Sequence, residues 1–402
     1  MKNFNKNIIV FILVSILVLS GLFSQGITEG IKNAFVQFKT GKDVYGVAHS
    51  FSLAADAMEK AVSNGISYHD EAMDLNSLFN RYTGRAIVEK DDGTVIRAKN
   101  GYLGNPRGKV SDKKLNHYAD NVAEFMKTAN SKGADFLYVM APSKGYSLEY
   151  PSNGRDFTKT NCDRFSEMLK EKGVPLLNLI EQAEKEDISD EEMFFATDHH
   201  WRPEKGLWAS EKVSSCLEDL YGFQYDKSVL QKDNYTVTTY KDWFLGSQGK
   251  KVGRYFSPHG PDDINLIVPK FETSLAEYQP AKNLWREGTF KDLLYMENLN
   301  TKDHYNLNPY ATYSGGDFRE QIIANRMIPE GKTAIIIRDS YGCAFTPFFS
   351  LVLGNTHVVD IRDGAYVGEK LYLPDYIDKI KPDYVIVFYT GLSDGEALYA
   401  FK

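Results

Sequence analysis

Hydrophobic positions change their spacing several times along the chain. Lys2 and Lys6 precede an apolar run from Ile8 to Phe23. A positive segment followed by an apolar one reads as a secretory signal or a signal-anchor. The run is short for a spanning helix, which needs roughly 17–25 residues, but Gly21 to Ile27 can extend it. Leu22 and Phe23 interrupt any small-residue cleavage pattern, and no cysteine follows to carry a lipid. The expectation is an uncleaved anchor over 1–27 with the rest of the chain outside the cytoplasm, or a secreted chain if it is cut. Residues 28–84 then read as a stalk and N-terminal helices, with helical spacing over Ala54 to Val62 and again over Asp74 to Arg81. Ala86 to Leu103 alternates apolar and polar residues around Asp92-Gly93, a hairpin pattern.

Beyond this point helices and strands alternate. Asp112 to Ser131 places Leu115, Tyr118, Val122 and Phe125 on one helical face, and Gly133 stops it. Phe136 to Ala141 is apolar throughout, as is expected of a strand buried on both faces of a parallel sheet. Thr160 to Lys172 predicts a helix, and Pro175 to Leu179 a short strand. Thr333 to Ile337, His357 to Ile361 and Tyr384 to Phe388 repeat the strand pattern. The fold class implied is α/β, a sandwich around a parallel central sheet. Residues 222–330 break the rhythm with Tyr235 to Tyr240, Asn265 to Pro269 and many turn residues, and read as a long, partly β insertion that brings loops to the site. The expected catalytic domain is therefore 85–402.

With 402 residues and 43% hydrophobic content the chain can bury a sizeable core. Its net charge of −7 and its lack of a concentrated basic face argue against nucleic acid as a partner. Cys162, Cys216 and Cys343 are far apart and without metal spacing, so no disulfide framework or zinc site is expected, although one pair could bridge outside the cell.

Two segments carry candidate chemistry. The strand Thr333 to Ile337 runs into Arg338-Asp339-Ser340-Tyr341-Gly342 and a following helix. A serine at the carboxyl edge of a parallel strand exposes its hydroxyl where ligands gather, with its backbone N–H available to an oxyanion. The alternative is that Asp339 or Ser340 merely caps the helix. The second segment is Phe194 to Pro203, containing Asp198-His199-His200-Trp201, with Pro203 suited to the first turn of a helix over Glu204 to Leu220. Residues at i and i+2 project to one side of extended backbone. Asp198 can then hold one ring nitrogen of His200 and leave the other for a nucleophile. A metal site would want a third converging ligand, which no HxxxH or carboxylate cluster supplies. No metal or other cofactor is expected.

Asp-His-His-Trp at 198–201 together with Asp-Ser-Tyr-Gly at 339–342 resembles the DHHW family, within the SGNH-hydrolase-like group that includes the alginate and related exopolysaccharide O-acetyltransferases. Asp74 to Phe79, Phe136 to Lys144 and Phe244 to Gly249 share in the resemblance. It implies an SGNH-like three-layer sandwich and a Ser340–His200–Asp198 triad, with carboxylate and base ahead of the serine in the chain. It also implies transfer of an acyl group, acetyl above all, to a polysaccharide, with a multi-pass membrane acyltransferase as the partner that supplies acyl groups. The triad alone leaves a carbohydrate acetyl esterase open, and a non-catalytic glycan-binding component of an export complex is a third reading. Accessory candidates are the turns Gly246-Ser247-Gln248-Gly249 and Ser314-Gly315-Gly316-Asp317 as oxyanion donors, Lys144 and Arg338 as substrate-orienting cations, and Tyr341 and Trp201 as a sugar platform. Each has a plainer reading as a turn, a surface charge or a core aromatic. His199 has no assigned role.

Overall fold

The computed structural model describes residues 69–90, 93–151, 155–362, 371–392 and 395–401. The anchor over 1–27, the helical pattern over Ala54 to Val62 and most of the stalk lie outside them. Among the described residues no helix is long and apolar enough to cross a membrane. Residues 80–402 form one compact unit. Within the other, 1–79, the described part belongs to helix α1 (His69–Tyr82). That helix starts upstream of Asp74, which sits inside it rather than opening it.

Strands β1 (Ile87–Lys90) and β2 (Gly93–Arg97) pair antiparallel as their alternation predicts, and β3 (Leu103–Gly104) joins β2. Helix α2 (Asp112–Ser131) begins at Ser111, whose side chain accepts the Lys114 N–H. It leads to β4 (Asp135–Ala141), followed by α3 (Thr158–Glu171), β5 (Leu176–Asn178) and the short helices α4 (Leu179–Lys185) and α5 (Asp190–Met193). Helix α6 (Pro203–Tyr221) has its proline in the first turn and Gly222 in left-handed conformation at its end. The insertion supplies β6 (Tyr235–Phe244), α7 (Ser247–Val252), β7 (Asp262–Pro269), β8 (Leu275–Gln279), β9 (Leu284–Gly288) and β10 (Glu320–Asn325). The chain closes with β11 (Thr333–Arg338), α8 (Gly342–Phe349), β12 (Asn355–Val359), α9 (Leu373–Ile380) and β13 (Tyr384–Thr390).

The main sheet has eight strands in the order β5-β4-β13-β11-β12-β10-β8-β9. The first five are parallel. The sheet as a whole is mixed rather than parallel, because β10, β8 and β9 of the insertion extend it antiparallel from β12. The insertion is therefore part of the core sheet as well as a source of loops. Strands β6 and β7 form a separate ribbon.

Period-two alternation sorts the parallel strands onto two cores. Leu137, Val139, Ile336 and Phe388 face one layer with Leu207 and Val213 of α6 and Phe345 of α8. Phe136, Tyr138, Ile335, Ile337 and Val387 face the other with α2, α3 and α9. This is the three-layer sandwich expected. Helices α6 and α8 approach closely, since a Cβ on Gly206 would lie 2.1 Å from the Ala344 carbonyl oxygen.

One feature of topology places the site. From β11 the chain crosses through α8 to β12 on one side, then returns through α9 to β13 on the other. The connection after β4 runs outward to β5 while the connection after β11 runs the other way to β12, so a crevice opens beyond the carboxyl ends of the strands between them. Ser340 stands there, two residues past the end of β11.

Candidate active site

The segment between α5 and α6 is a tight loop closed at its base by a bridge between Phe194 and Trp201 and by the Arg202 N–H on the Met193 carbonyl (2.8 Å). Asp262 at the start of β7 braces it from below. Its carboxylate accepts the N–H groups of Ala196 and Thr197 and the Thr197 hydroxyl, at 2.6, 2.8 and 2.6 Å. From the side the start of α7 holds it. Gly246 N–H donates to the Thr197 hydroxyl (3.0 Å), Ser247 N–H to Asp198 Oδ2 (2.6 Å) and Gly249 N–H to the Thr197 carbonyl (2.8 Å).

Within this frame Asp198 Oδ1 accepts both the backbone N–H of His200 (2.9 Å) and its ring Nδ1–H (2.5 Å). The i to i+2 link comes from this Asx-type turn, not from extended backbone. The imidazole is thereby fixed with its proton on Nδ1, which leaves Nε2 as an acceptor, and Nε2 lies 2.8 Å from Ser340 Oγ. Burial alone would raise the Asp198 pKa. The neighbouring His199 and His200 and the hydrogen bonds from His200 outweigh it and hold the carboxyl well below the usual range. Asp198 is 2% and His200 8% exposed, while Ser340 is half-buried and opens on a cavity of about 630 Å³. Three side chains from two distant stretches of chain thus stand in hydrogen-bonding succession at the sheet edge.

The accessory candidates separate on the same geometry. Gly246, Arg338 and Trp201 do not line the cavity, whereas Ser247, Lys144 and Tyr341 do. The N–H groups of Gly246 and Ser247 are spent on the Asp198 loop and do not point toward an oxyanion. Gly315 N–H closes on the Ala311 carbonyl, while Gly316 offers its own carbonyl to Arg338 (3.0 Å). Arg338 is 1% exposed, paired with Asp317, and does not reach substrate. Lys144 is equally buried. Its ammonium donates to the carbonyls of Ala196 (3.0 Å) and Asp198 (2.8 Å) and to Gln248 Oε1 (3.2 Å). Burial pushes its pKa down to about 7, with Asp262 and Asp198 opposing the fall. Trp201 is a fully buried core residue whose indole N–H reaches Tyr310 Oη and the Tyr341 carbonyl, both at 3.2 Å. Tyr341 is 3% exposed and donates its hydroxyl to the His199 carbonyl, so it braces the loop while its edge faces the cavity.

The amide of Ser340 itself is a better candidate for an oxyanion donor. Asp339 takes the Tyr341 N–H on Oδ1 (3.1 Å) and the Gly342 N–H on its carbonyl (3.0 Å). The Ser340 N–H has no protein acceptor among the described residues. Asp339 Oδ2 meanwhile holds Thr390 N–H of the neighbouring strand at 2.8 Å. Asp339 therefore organises the turn, and the Ser340 hydroxyl stays directed at His200. Asp198, His199 and His200 are close enough together to ligate a cation. Both ring nitrogens of His200 and both carboxylate oxygens of Asp198 are already engaged, and the donor set fits a proton relay better than a metal.

The comparisons agree with this architecture. Residues 102–240 match the family model of the SGNH hydrolase-like domain of acetyltransferase AlgX, a stretch that includes Asp198 and His200 and ends before Ser340. The structure of Bacillus cereus PatB1 superposes with a TM-score of 0.63 at 19% identity, covering 77% of this chain and 99% of that one. A DHHW family protein from Eubacterium siraeum gives a TM-score of 0.55 at 19% identity, covering 78% of this chain and 96% of that one. No curated protein matches the chain.

The chain has an SGNH-like α/β fold.

Among its five parallel strands β11 borders the topological switch, and the mixed extension from β12 is what the insertion adds to this SGNH-like core. Two residues important to the site carry no signal in the sequence. Tyr310 stacks on the His200 ring at 4.1 Å and 17°, and Asp262 supports the loop. Both come from the insertion, and only tertiary structure brings them here.

Gly246 has a further requirement. A Cβ there would lie 2.1 Å from Asp198 Cβ, 2.5 Å from Asp198 Cα and 2.6 Å from the Asp198 nitrogen. Gly246→Ala is expected to displace the Asp198 loop and reduce ester turnover by about 10²-fold, as misplacements near 1 Å do. The comparison of kcat for the variant and wild type, with circular dichroism as the folding check, tests this.

Proposed function

We propose that the chain is an extracytoplasmic O-acetyltransferase that acetylates a cell-surface or secreted polysaccharide through Ser340, His200 and Asp198. The observation that carries the reading is the continuous relay from Asp198 through His200 to Ser340 Oγ, open to a cavity in a domain similar to that of an acetyltransferase. In the first half-reaction His200 Nε2 takes the Ser340 proton as Oγ attacks the donor's acyl carbonyl, and the imidazolium returns that proton to the departing donor oxygen. In the second, a sugar hydroxyl gives its proton to His200 and attacks the acyl-serine. The acetyl group leaves on the sugar, and Ser340 regains the proton. The Ser340 N–H supports the negative charge of each tetrahedral intermediate. Asp198 keeps the ring in one tautomer and offsets the imidazolium charge.

An N-terminal anchor over 1–27 would hold this site beside a membrane acyltransferase that delivers acetyl groups. A carbohydrate acetyl esterase uses the same relay with water in the second half-reaction. Incubation with 4-nitrophenyl acetate, with and without a neutral oligosaccharide, separates the two. Mass spectrometry is expected to find acetylated sugar; acetate alone at every sugar concentration would favour the esterase.

A further inference from the structure

His199 takes no part in the relay, yet it is built into the site. Its Nδ1 lies 2.9 Å from Ser247 Oγ at the start of α7. Its ring packs 3.8 Å from the His200 ring at 37°, and its carbonyl is held by the Tyr341 hydroxyl. The backbone and one ring nitrogen are therefore fixed. Its side chain is nevertheless 45% exposed, and it lines the same cavity as Ser340 together with Ser247, Asn105 and Arg107. Nε2 has no protein partner among the described residues. Partial burial of the ring and the adjoining His200 lower its pKa from the ordinary histidine value, which favours the neutral imidazole near pH 7. A histidine kept only for packing is expected to be enclosed or to have both nitrogens satisfied. Here one nitrogen is anchored and the other is left toward a cavity, beside the base that must deprotonate an incoming hydroxyl.

We propose that His199 forms the acceptor subsite, its Nε2 hydrogen-bonding a sugar hydroxyl next to the one that attacks the acyl-serine. This rests on the transferase reading and deepens it, because it names what favours sugar over water at the second step. Water needs no such contact; a sugar gains orientation from it. His199 acts by binding, since His200 already serves as the base and His199 Nδ1 is committed to Ser247. A neutral imidazole can donate to or accept from a hydroxyl, which suits an uncharged polyol.

The test uses the full-length chain, 4-nitrophenyl acetate as donor, and pentamers of β-linked glucose or N-acetylglucosamine as acceptors. The quantity read is acetyl on sugar divided by acetate released, and the mass of the acetylated protein shows that each variant folds and acylates. His199→Phe keeps the ring stack and removes Nε2; the ratio is expected to fall about tenfold, the value of one hydrogen bond. Ser247→Ala removes the anchor but leaves Nε2, and the ratio is expected to change less than about threefold. An unchanged ratio in His199→Phe, or equal falls in both variants, overturns the subsite. If the wild type turns over the ester but acetylates neither pentamer, the transferase function itself fails, and that outcome is distinct from the other two.

Discussion

Replacing His200 with alanine is expected to lower turnover of an activated acetyl ester by about 10⁴-fold or more. No other group can take its place. Nε2 of His200 is the ring nitrogen within hydrogen-bonding distance of Ser340 Oγ, at 2.8 Å. The neighbouring His199 directs its Nδ1 to Ser247 instead. Asp198→Asn is expected to cost a comparable factor for a different reason. An amide at that position can present a donor to Nδ1, and the ring then carries its proton on the nitrogen that must accept from Ser340. Because the three residues act as one unit, the double variant Ser340→Ala/His200→Ala should be little slower than either single variant. Steady-state rates for the four proteins, measured on the same ester, check this. Additive losses would mean that the residues work separately.

The second large effect is on stability. Arg338 is 1% exposed, and its guanidinium pairs with Asp317, donates to the Gly316 carbonyl at 3.0 Å and lies 4.0 Å from Asp360. Arg362 reaches the same two carboxylates, at 3.1 Å to Asp317 and 2.5 Å to Asp360. Arg338→Met removes the buried cation from a cluster of two carboxylates and two guanidinium groups. The result is excess negative charge beside the fully buried Asp360, while water reaches Asp317 and Arg362. Breaking such a pair costs about 3–5 kcal/mol, and the Arg362 contacts should keep the loss near the lower figure. The cost is expected as a shift of the urea midpoint with little change in slope. A loss below about 1 kcal/mol would mean that solvent reaches Asp360 as well.

The strands at 136–141, 333–337 and 384–388 were legible because a strand buried on both faces must be apolar throughout. Helix α2 was legible because its apolar stripe and its Gly133 stop agree. The relay residues were legible as residue types in short motifs. The antiparallel extension was not, because β8, β9 and β10 are short runs among Pro, Asn and Gly whose pairing is fixed only by the strand beside them. Lys144 and Arg338 read as substrate-orienting cations or surface charges, since charged side chains are rarely buried unless paired. Their partners, the carbonyls of the Asp198 loop and Asp317, lie far along the chain. Gly246 and Ser247 looked like oxyanion donors because a glycine-rich turn fixes no direction for its N–H groups. In the fold those groups turn inward to Asp198 and Thr197. Tyr310 and Asp262 reach the loop only after the insertion has folded over it.

The most direct test of the central claim is the mass of the intact protein after brief exposure to 4-nitrophenyl acetate, followed by peptide mapping. The account predicts one acetyl group on Ser340 in the wild type, and neither the adduct nor turnover in Ser340→Ala. Wild-type turnover persisting in Ser340→Ala, or an acetyl group mapped to another residue, would contradict it.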